Sequence, residues 1–199
     1  VNYAQEDANC WKERARASYR WGWDEEPRIL MAVDSNTGKQ IWKRQCGIVP
    51  LSLASDGKRV VFHDGESLIC LDHATGKDIW RSKPIERMPK IPTGYSPSIR
   101  IYEDVIIFSG KRQSLAAVSA NTGELLWTSE THASGHFCPE DFFIIDGLVW
   151  SGDIALARST GVFTGLDLHT GEVKKEFPTD VNKSSMHQRY YTRKATKQY

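Results

Sequence analysis

Residues 34–42 read Asp34-Ser-Asn-Thr-Gly38-Lys39-Gln-Ile-Trp42, and related stretches return three more times along the chain. The glycines of successive stretches are 38 to 48 residues apart. A period of this size, in units made of short strands and turns, is typical of a β-propeller or another repeat array. The three later stretches are Asp72-His-Ala-Thr-Gly76-Lys77-Asp-Ile-Trp80, Ser119-Ala-Asn-Thr-Gly123-Glu124-Leu-Leu-Trp127 and Asp167-Leu-His-Thr-Gly171-Glu172-Val-Lys-Lys175.

The second repeat shows how one unit would fold. An apolar stretch over 50–54 ends at a turn signal, and residues 59–63 are β-branched or aromatic at their centre. Strands over 67–72 and 77–81 follow, and four short strands in a meander make one propeller blade. The same patterns predict strands over 19–23, 29–34 and 40–44, over 98–102, 105–109, 114–119 and 124–128, and over 142–145, 148–151, 163–167 and 173–177.

These units predict an all-β fold, a β-propeller of four-stranded antiparallel blades. We expect one partial propeller domain over residues 1–199, with repeats that end near residues 44, 81, 128 and 177. A further blade would begin over 187–199. Because the chain opens with Val1 and stops inside this further blade, we expect it to be an internal piece of a longer protein.

The repeated residues have structural roles in this interpretation. Glycine supplies the positive φ of a tight turn, and the aspartate four residues earlier accepts N–H groups of that turn. The tryptophan four residues after the glycine covers the blade edge and contacts the neighbouring blade. In the fourth repeat Lys175 replaces it, so we expect that boundary to be weaker or differently covered. The structural set is Asp34, Gly38, Trp42, Asp72, Gly76, Trp80, Gly123, Trp127, Asp167 and Gly171.

The composition is that of an ordinary globular chain. It has 199 residues, of which 40% are hydrophobic, and 26 basic against 25 acidic side chains give a formal charge of +1. This balance argues against a nucleic-acid partner, and no apolar run is long enough for a transmembrane helix. The four cysteines form no Cys-x-x-Cys pair, and no nucleotide-binding or serine-hydrolase motif occurs.

The first repeat resembles the tryptophan-docking repeat of pyrroloquinoline quinone (PQQ)-type β-propellers. That pattern is Ala-x-Asp, three residues, Gly-Lys, two residues and Trp, which Ala32 to Trp42 matches at every fixed position. The other copies depart from it at Cys70, at Ser119 and Glu124, and at Gly165, Glu172 and Lys175. The resemblance implies a ring of seven or eight blades, of which about half is present.

This superfamily includes quinone-dependent alcohol and glucose dehydrogenases and also non-catalytic outer-membrane assembly lipoproteins. The adjacent cysteine pair, calcium ligands and base aspartate of the dehydrogenases are not identifiable here. The leading hypothesis is therefore a binding or scaffold module in a periplasmic or otherwise extracytoplasmic location. The alternatives are a fragment of a PQQ-dependent dehydrogenase, with PQQ and calcium as cofactors, or the propeller module of a larger multidomain enzyme. Whether the chain is an enzyme stays open.

The loops predict which face binds a protein or a small-molecule ligand. The turns that include Gly57, Asp104 and Gly147 are tight, whereas the connections at the opposite ends of the strands are long. Long loops on a rigid scaffold usually carry function. Those long segments are 82–97, 129–141, 152–162 and 178–187.

The loop-rich face also supplies the candidate site residues. His187 and Arg189 enter a predicted innermost strand, where they would meet an anionic ligand or simply line the channel. Arg87 and His136 lie in loops of the same face. A metal site is a weaker alternative to a loop of hydrogen-bonded polar residues, and its ligands would be His132, His136 and Cys138.

Overall fold

The computed structural model describes residues 25–88, 98–111, 114–131, 142–152 and 162–178. Within these ranges the chain forms four antiparallel sheets and no helix. The first sheet has β1 (Arg28–Val33) and β2 (Gln40–Cys46), and the second has β3 (Leu53–Ser55), β4 (Arg59–His63), β5 (Ser67–Asp72) and β6 (Asp78–Pro84). The third has β7 (Ser98–Tyr102), β8 (Val105–Ser109), β9 (Ser114–Ser119) and β10 (Leu125–Glu130), and the fourth has β11 (Phe143–Ile145), β12 (Leu148–Gly152), β13 (Val162–Asp167) and β14 (Val173–Pro178).

The strands of each sheet follow one another in chain order, so each four-stranded sheet is a meander. The predicted partial propeller of four-stranded antiparallel blades is thereby confirmed. Some strand ends differ from the prediction, since β6 and β10 run on to Pro84 and Glu130. The strand β3 starts at Leu53 because residues 49–52 form a turn. The strand predicted over 19–23 and the blade predicted over 187–199 lie outside the described residues.

Three apolar cores lie between neighbouring sheets, and alternate residues of one strand serve two of them. In β4, Val60 and Phe62 join the core with the first sheet, whereas Val61 joins the core with the third sheet. Burial of each such side chain contributes about 1.5–3 kcal/mol. The cores contain Leu30, Ile48 and Leu71, then Cys70, Ile106, Phe108 and Val118, and then Ile107, Leu115, Val149 and Leu166.

The repeated turn has the same construction in each sheet. In the first, the Asp34 carboxylate accepts the N–H of Asn36 at 2.9 Å and of Thr37 at 2.7 Å. The hydrogen bonds from Thr37 and Asn36 hold the pKa of Asp34 below its usual value. The N–H of Gly38 donates to the Asp34 carbonyl oxygen at 2.9 Å, and Gly38 has a φ of 69°. Glycine is therefore favoured there by backbone conformation.

Each repeat tryptophan reaches the turn of the following sheet. The Nε1–H of Trp42 donates to the carbonyl oxygen of His73 at 2.9 Å, and its ring lies on Gly76, where a Cβ would be 2.5 Å from Cδ2. The ring therefore requires glycine below it, in addition to the requirement of the turn. Trp80 donates in the same way to Ala120 above Gly123, and Trp127 to Leu168 above Gly171.

The fourth sheet carries its aromatic cover on a different strand. Lys175 takes the tryptophan position opposite Gly165, and the ring of Trp150, from β12, lies over Gly165. A Cβ on Gly165 would be 3.0 Å from that ring. Trp150 also stacks on Phe177 and Phe143, with ring centroids 5.4 and 6.5 Å away. The side of the fourth sheet that faces away from the third is thus aromatic despite the loss of the repeat tryptophan.

Candidate functional site

The two ends of the sheets differ in how their connections are built. At one end, here called the tight-turn face, the two short turns of a blade hydrogen-bond to each other. The backbone N–H groups of His73, Ala120 and Leu168 donate to the carbonyl oxygens of Lys58, Asp104 and Gly147 at 2.9, 2.8 and 2.9 Å. The same bond in three successive sheets makes this face a regular scaffold.

The opposite end, the loop-rich face, carries the connections between blades and those between second and third strands. Its described segments are 47–52, 64–66, 85–88 and 110–111. The segment 85–88 crosses from the second sheet to the third. Ile85 donates its N–H to the carbonyl oxygen of Glu66 at 2.9 Å, and Met88 donates to Gly110 at 3.0 Å. This crossing segment therefore joins two blades at the loop-rich face.

Leu51 stands out on this face because its backbone is left-handed and its side chain is exposed. Its φ is 60° and 67% of its surface is accessible. A left-handed conformation costs an L-residue about 1–2 kcal/mol. The N–H and Oγ of buried Ser52 both donate to the Val49 carbonyl oxygen, at 3.1 and 2.7 Å, and the His63 N–H donates to Ser52 Oγ at 3.1 Å. A hydrogen-bonded turn thus holds a bulky apolar side chain out in solvent.

His63 is buried at the end of β4 and connects several of these segments. The N–H of Gly65 donates to Nδ1 at 3.0 Å, so Nε2 carries the proton and donates to the Ile85 carbonyl oxygen at 3.1 Å. The ring stacks on Phe108 of the third sheet with centroids 4.9 Å apart. Burial lowers the pKa of His63, against the opposing effects of the Ile85 carbonyl and Asp64. His63 is therefore a neutral structural bridge under the loop-rich face.

Arg87 is the predicted ligand-binding residue that the structure describes. Its Nε donates to the carbonyl oxygen of Gly65 at 2.7 Å and its Nη1 to that of Met88 at 2.9 Å. Its Nη2 forms an ion pair with Glu25 at 2.8 Å, and the Arg87 side chain is only 16% exposed. These contacts brace the crossing segment, so a role of Arg87 in ligand binding stays a prediction.

A cleft of about 570 Å³ lies between the second and third sheets. Its apolar walls include Ile85, Phe108 and Leu125, and an ion pair between Lys111 and Glu86 stands at its edge. The zone between two neighbouring sheets is here called a seam, and the second seam lies between the second and third sheets, so we call this space the second-seam cleft. Its polar lining consists of Glu86, Lys111, Ser114, Thr128, Ser129, Glu130 and Thr131.

The equivalent space between the first and second sheets is smaller, at about 370 Å³. Arg44 reaches across it to Asp78 at 2.7 Å, and Arg81 pairs with Asp64 at 2.5 Å. Although partial burial opposes it, the N–H groups of Ser67 and Glu66 and the Arg81 guanidinium lower the pKa of Asp64. In the second seam, Ser82, Leu125 and Thr128 replace Arg44, Asp78 and Arg81 at the same repeat positions. The second seam therefore lacks these bridging charges, and its cleft has the larger volume.

The remaining predicted site residues, His132, His136, Cys138, His187 and Arg189, lie outside the described residues. Within the described ranges no three His, Cys, Asp or Glu side chains converge as a metal site. The described part of the chain also has no helix that is long and apolar enough to span a membrane. Cys46 and Cys70 are free thiols, and burial raises the pKa of Cys70 to about 11.

His63, Leu51 and the second-seam cleft are not among the features predicted from the sequence. A usable signal existed for His63, since a histidine at the end of an apolar strand is followed directly by Asp64-Gly65. A signal for the cleft also existed, because at equivalent positions of the repeats small or neutral residues replace two arginines in the second seam. No local signal distinguishes Leu51, whose left-handed backbone depends on the contact between Ser52 and His63.

Comparison with known proteins agrees with this architecture. A family model described as outer membrane protein assembly factor BamB matches residues 26–191. No curated protein sequence matches the chain.

Among the solved structures with a similar fold are two dehydrogenases and one BamB protein. BamB from Moraxella catarrhalis aligns with a TM-score of 0.56 at 17% identity, over 74% of this chain and 46% of that one. The quinohemoprotein alcohol dehydrogenase from Comamonas testosteroni gives 0.52 at 17% identity, over 78% and 32%. A europium-containing methanol dehydrogenase gives 0.50 at 13% identity, over 75% and 38%. The chain spans less than half the length of each of these structures.

The matched family agrees with the repeated turn, with the tryptophan that reaches the next blade and with the three four-stranded meander sheets. Because the family model covers most of the chain, the assignment does not depend on the weak identity to any one structure. The chain therefore belongs to the PQQ-like β-propeller repeat superfamily, in the family described as outer membrane protein assembly factor BamB.

Proposed function

We propose that this chain is a protein-binding module that holds its partner on the loop-rich face. The observation that carries the proposal is Leu51, which the turn 49–52 presents to solvent in a strained backbone conformation. Strain of this kind persists where the surrounding structure imposes it, and it concentrates at functional sites. The buried core of a protein–protein contact is more apolar than its polar rim, so an exposed and preorganised apolar side chain suits such a core.

The surroundings of Leu51 support a rigid recognition surface. Ser52 and His63 fix the turn from below, and His63 also contacts the crossing segment through Ile85. Arg87 ties that segment to Gly65. Because these segments are already ordered, a partner loses little affinity to their immobilisation.

The description of the matched family names outer membrane protein assembly, which supports a proposal for the partner class and the location. We propose a protein of the outer-membrane assembly machinery as the partner and an extracytoplasmic location. The proposed partner and location rest on the family description, together with the exposure of Leu51 on the loop-rich face.

Site-specific photo-crosslinking tests the proposal in a Gram-negative bacterium that exports the chain. Benzoylphenylalanine replaces Glu66 on the loop-rich face or Lys58 on the tight-turn face, both of which are exposed. We expect adducts with an outer-membrane assembly protein from position 66, and we expect Leu51→Gly to remove them. Equal adducts from both faces, or adducts at position 66 that Leu51→Gly leaves unchanged, would contradict the proposal.

The alternative function, that of a dehydrogenase, is supported by two structural neighbours that are named as dehydrogenases. At 13 and 17% identity they share the fold alone. Calorimetry of the chain with PQQ and Ca²⁺, followed by dye-linked oxidation of alcohols and sugars, separates the two functions. Tight binding with turnover would replace the binding role by an enzymatic one.

A further inference from the structure

The outermost strands of the four sheets differ in how they protect their free edges. A free strand edge can pair with another chain, and proteins discourage this with lysine, other charges or proline. The strand β10 has the sequence Leu-Leu-Trp-Thr-Ser-Glu, without a basic residue or a proline. By contrast, β2 carries Lys43 and Arg44, β6 carries Arg81, Lys83 and Pro84, and β14 carries Lys174, Lys175 and Pro178.

The free edge of β10 is long enough for strand addition. Within the described ranges β10 pairs with β9 alone, through residues from Leu125 to Glu130. Six residues in extended conformation span about 20 Å. Leu125 and Leu126 are 55% and 43% exposed, so apolar side chains accompany the unpaired backbone. Backbone pairing and apolar contact are the two components of β-strand recognition.

The second-seam cleft runs beside this edge. Leu125 and residues 128–131, which line it, belong to β10 or follow it directly. Thr128 pairs with Ala116, which faces the second sheet like Phe108. Side chains of an added strand that point to the second sheet would therefore enter the cleft. At about 570 Å³ the cleft has room for several aliphatic side chains.

Charge indicates which peptide fits. Glu124 and Glu130 are exposed along this edge, whereas Glu86 at the cleft is already paired with Lys111. The edge is therefore acidic on balance. Complementary charges favour the correct partner and exclude others.

We propose that β10 and the second-seam cleft bind an extended peptide segment that alternates aliphatic with basic side chains. The peptide adds as a fifth strand to the third sheet, with its aliphatic side chains in the cleft and its basic groups near the exposed glutamates. This surface follows the outer rim of the third sheet, so the inference does not rest on the binding role of Leu51.

Fluorescence anisotropy with the full chain tests this inference. The probe is a labelled peptide of about nine residues in which valine alternates with lysine or threonine, matched to the length of the edge. A second probe has glutamate in place of lysine, and a third is N-methylated at alternate residues, which removes donors along the pairing edge. We expect saturable binding of the first probe with a Kd of about 1–100 μM and at least about tenfold weaker binding of the other two.

Two variants locate the site. Thr128→Arg introduces the residue that β6 has at the same repeat position, Arg81, and thereby restores a charged edge. Thr122→Arg adds the same charge on the exposed turn before β10. We expect Thr128→Arg to weaken binding at least about tenfold and Thr122→Arg to change it less than about threefold. Circular dichroism checks that both variants keep the fold.

Three results would overturn the inference. The first is no saturable binding of the valine–lysine probe up to about 1 mM, about tenfold above the weak end of the expected Kd range. The second is equal binding of the N-methylated probe, which would exclude strand pairing. The third is equal affinity of wild type and Thr128→Arg, which would place the peptide elsewhere.

Discussion

Gly38 and Gly123 occupy the same place in two repeats, and replacing each by alanine measures the contact between blades. Both have positive φ, 69° and 77°, so an alanine is strained at either position. A Cβ on Gly38 meets nothing within 4 Å, whereas a Cβ on Gly123 would lie 2.6 Å from Cε3 of Trp80. The pair therefore separates backbone strain from the tryptophan contact.

The expected magnitudes follow from these distances. Left-handed alanine costs about 1–2 kcal/mol at both positions. At Gly123 the new methyl group overlaps the Trp80 ring by about 1 Å relative to an ordinary carbon–carbon contact of about 3.5–4.0 Å. Relief of such overpacking costs about a further 1–3 kcal/mol. We therefore expect Gly123→Ala to be about 1–3 kcal/mol more destabilising than Gly38→Ala.

Urea unfolding of the full chain, followed by tryptophan fluorescence, measures both variants against wild type. For an m-value of about 2 kcal/mol/M, the two variants should differ in midpoint by about 0.5–1.5 M. Equal midpoints would refute the reasoning, because they would mean that the Trp80 ring moves away from the Gly123 turn without loss of stability.

Three further outcomes are expected. Because the pKa of His63 is lowered in the folded state, its stabilising contribution is complete above the ordinary histidine pKa of about 6.5 and decreases as the pH falls below that value. Urea midpoints should therefore drop between about pH 7.5 and 5 more steeply for wild type than for His63→Gln, and parallel profiles would contradict this. Leu51→Gly should raise the free energy of unfolding by about 1 kcal/mol because it relieves the left-handed strain, and a lower urea midpoint would contradict that account. Buried Cys70, with its pKa raised to about 11, should resist iodoacetamide until the chain unfolds. Peptide mass spectrometry checks this, with half-buried Cys46 as the more reactive control, and equal native labelling of the two would contradict it.

Much of the fold was predictable because the repeat fixes the turns and the turns fix the strands. The strand bounds of β4, β5, β7, β8 and β9 agree with the prediction residue for residue. Their turns contain glycine or acidic residues in fixed places, so local chemistry was sufficient. The PQQ-like assignment was likewise carried by local residues, and the family comparison confirmed it.

What the sequence did not predict depends on contacts between distant residues. The start of β3 at Leu53 depends on the hydrogen bond from the His63 N–H to Ser52 Oγ, which joins residues 11 positions apart. The aromatic cover of the fourth sheet comes from Trp150, and its relation to Gly165 is visible only once β12 and β13 are paired. Prediction of the cleft beside β10 depends on the sizes of the side chains that meet in each of two seams, which the repeat pattern alone does not give.

For the candidate site the sequence predicts a face of the propeller, and the placement of a binding site there stays a prediction. The described segments 47–52, 64–66 and 85–88 lie at one end of the sheets, and that end contains Leu51, His63 and Arg87. The roles of individual residues were harder to predict from the sequence. The contacts of Arg87 with Gly65 and Met88, for example, depend on the path of the crossing segment 85–88. The ligand roles of His136, His187 and Arg189 stay predictions.

The central claim is that a tryptophan of each of the first three blades packs on the glycine turn of the next blade, so that the blades form one scaffold for the loop-rich face. A double-mutant cycle between Trp80→Leu and Gly123→Ala tests it most directly, with Trp80→Leu and Gly38→Ala as the control cycle. The account predicts a coupling energy of about 1–3 kcal/mol for Trp80 with Gly123 and none beyond about 0.5 kcal/mol for Trp80 with Gly38. Additive effects in the first cycle would contradict the claim.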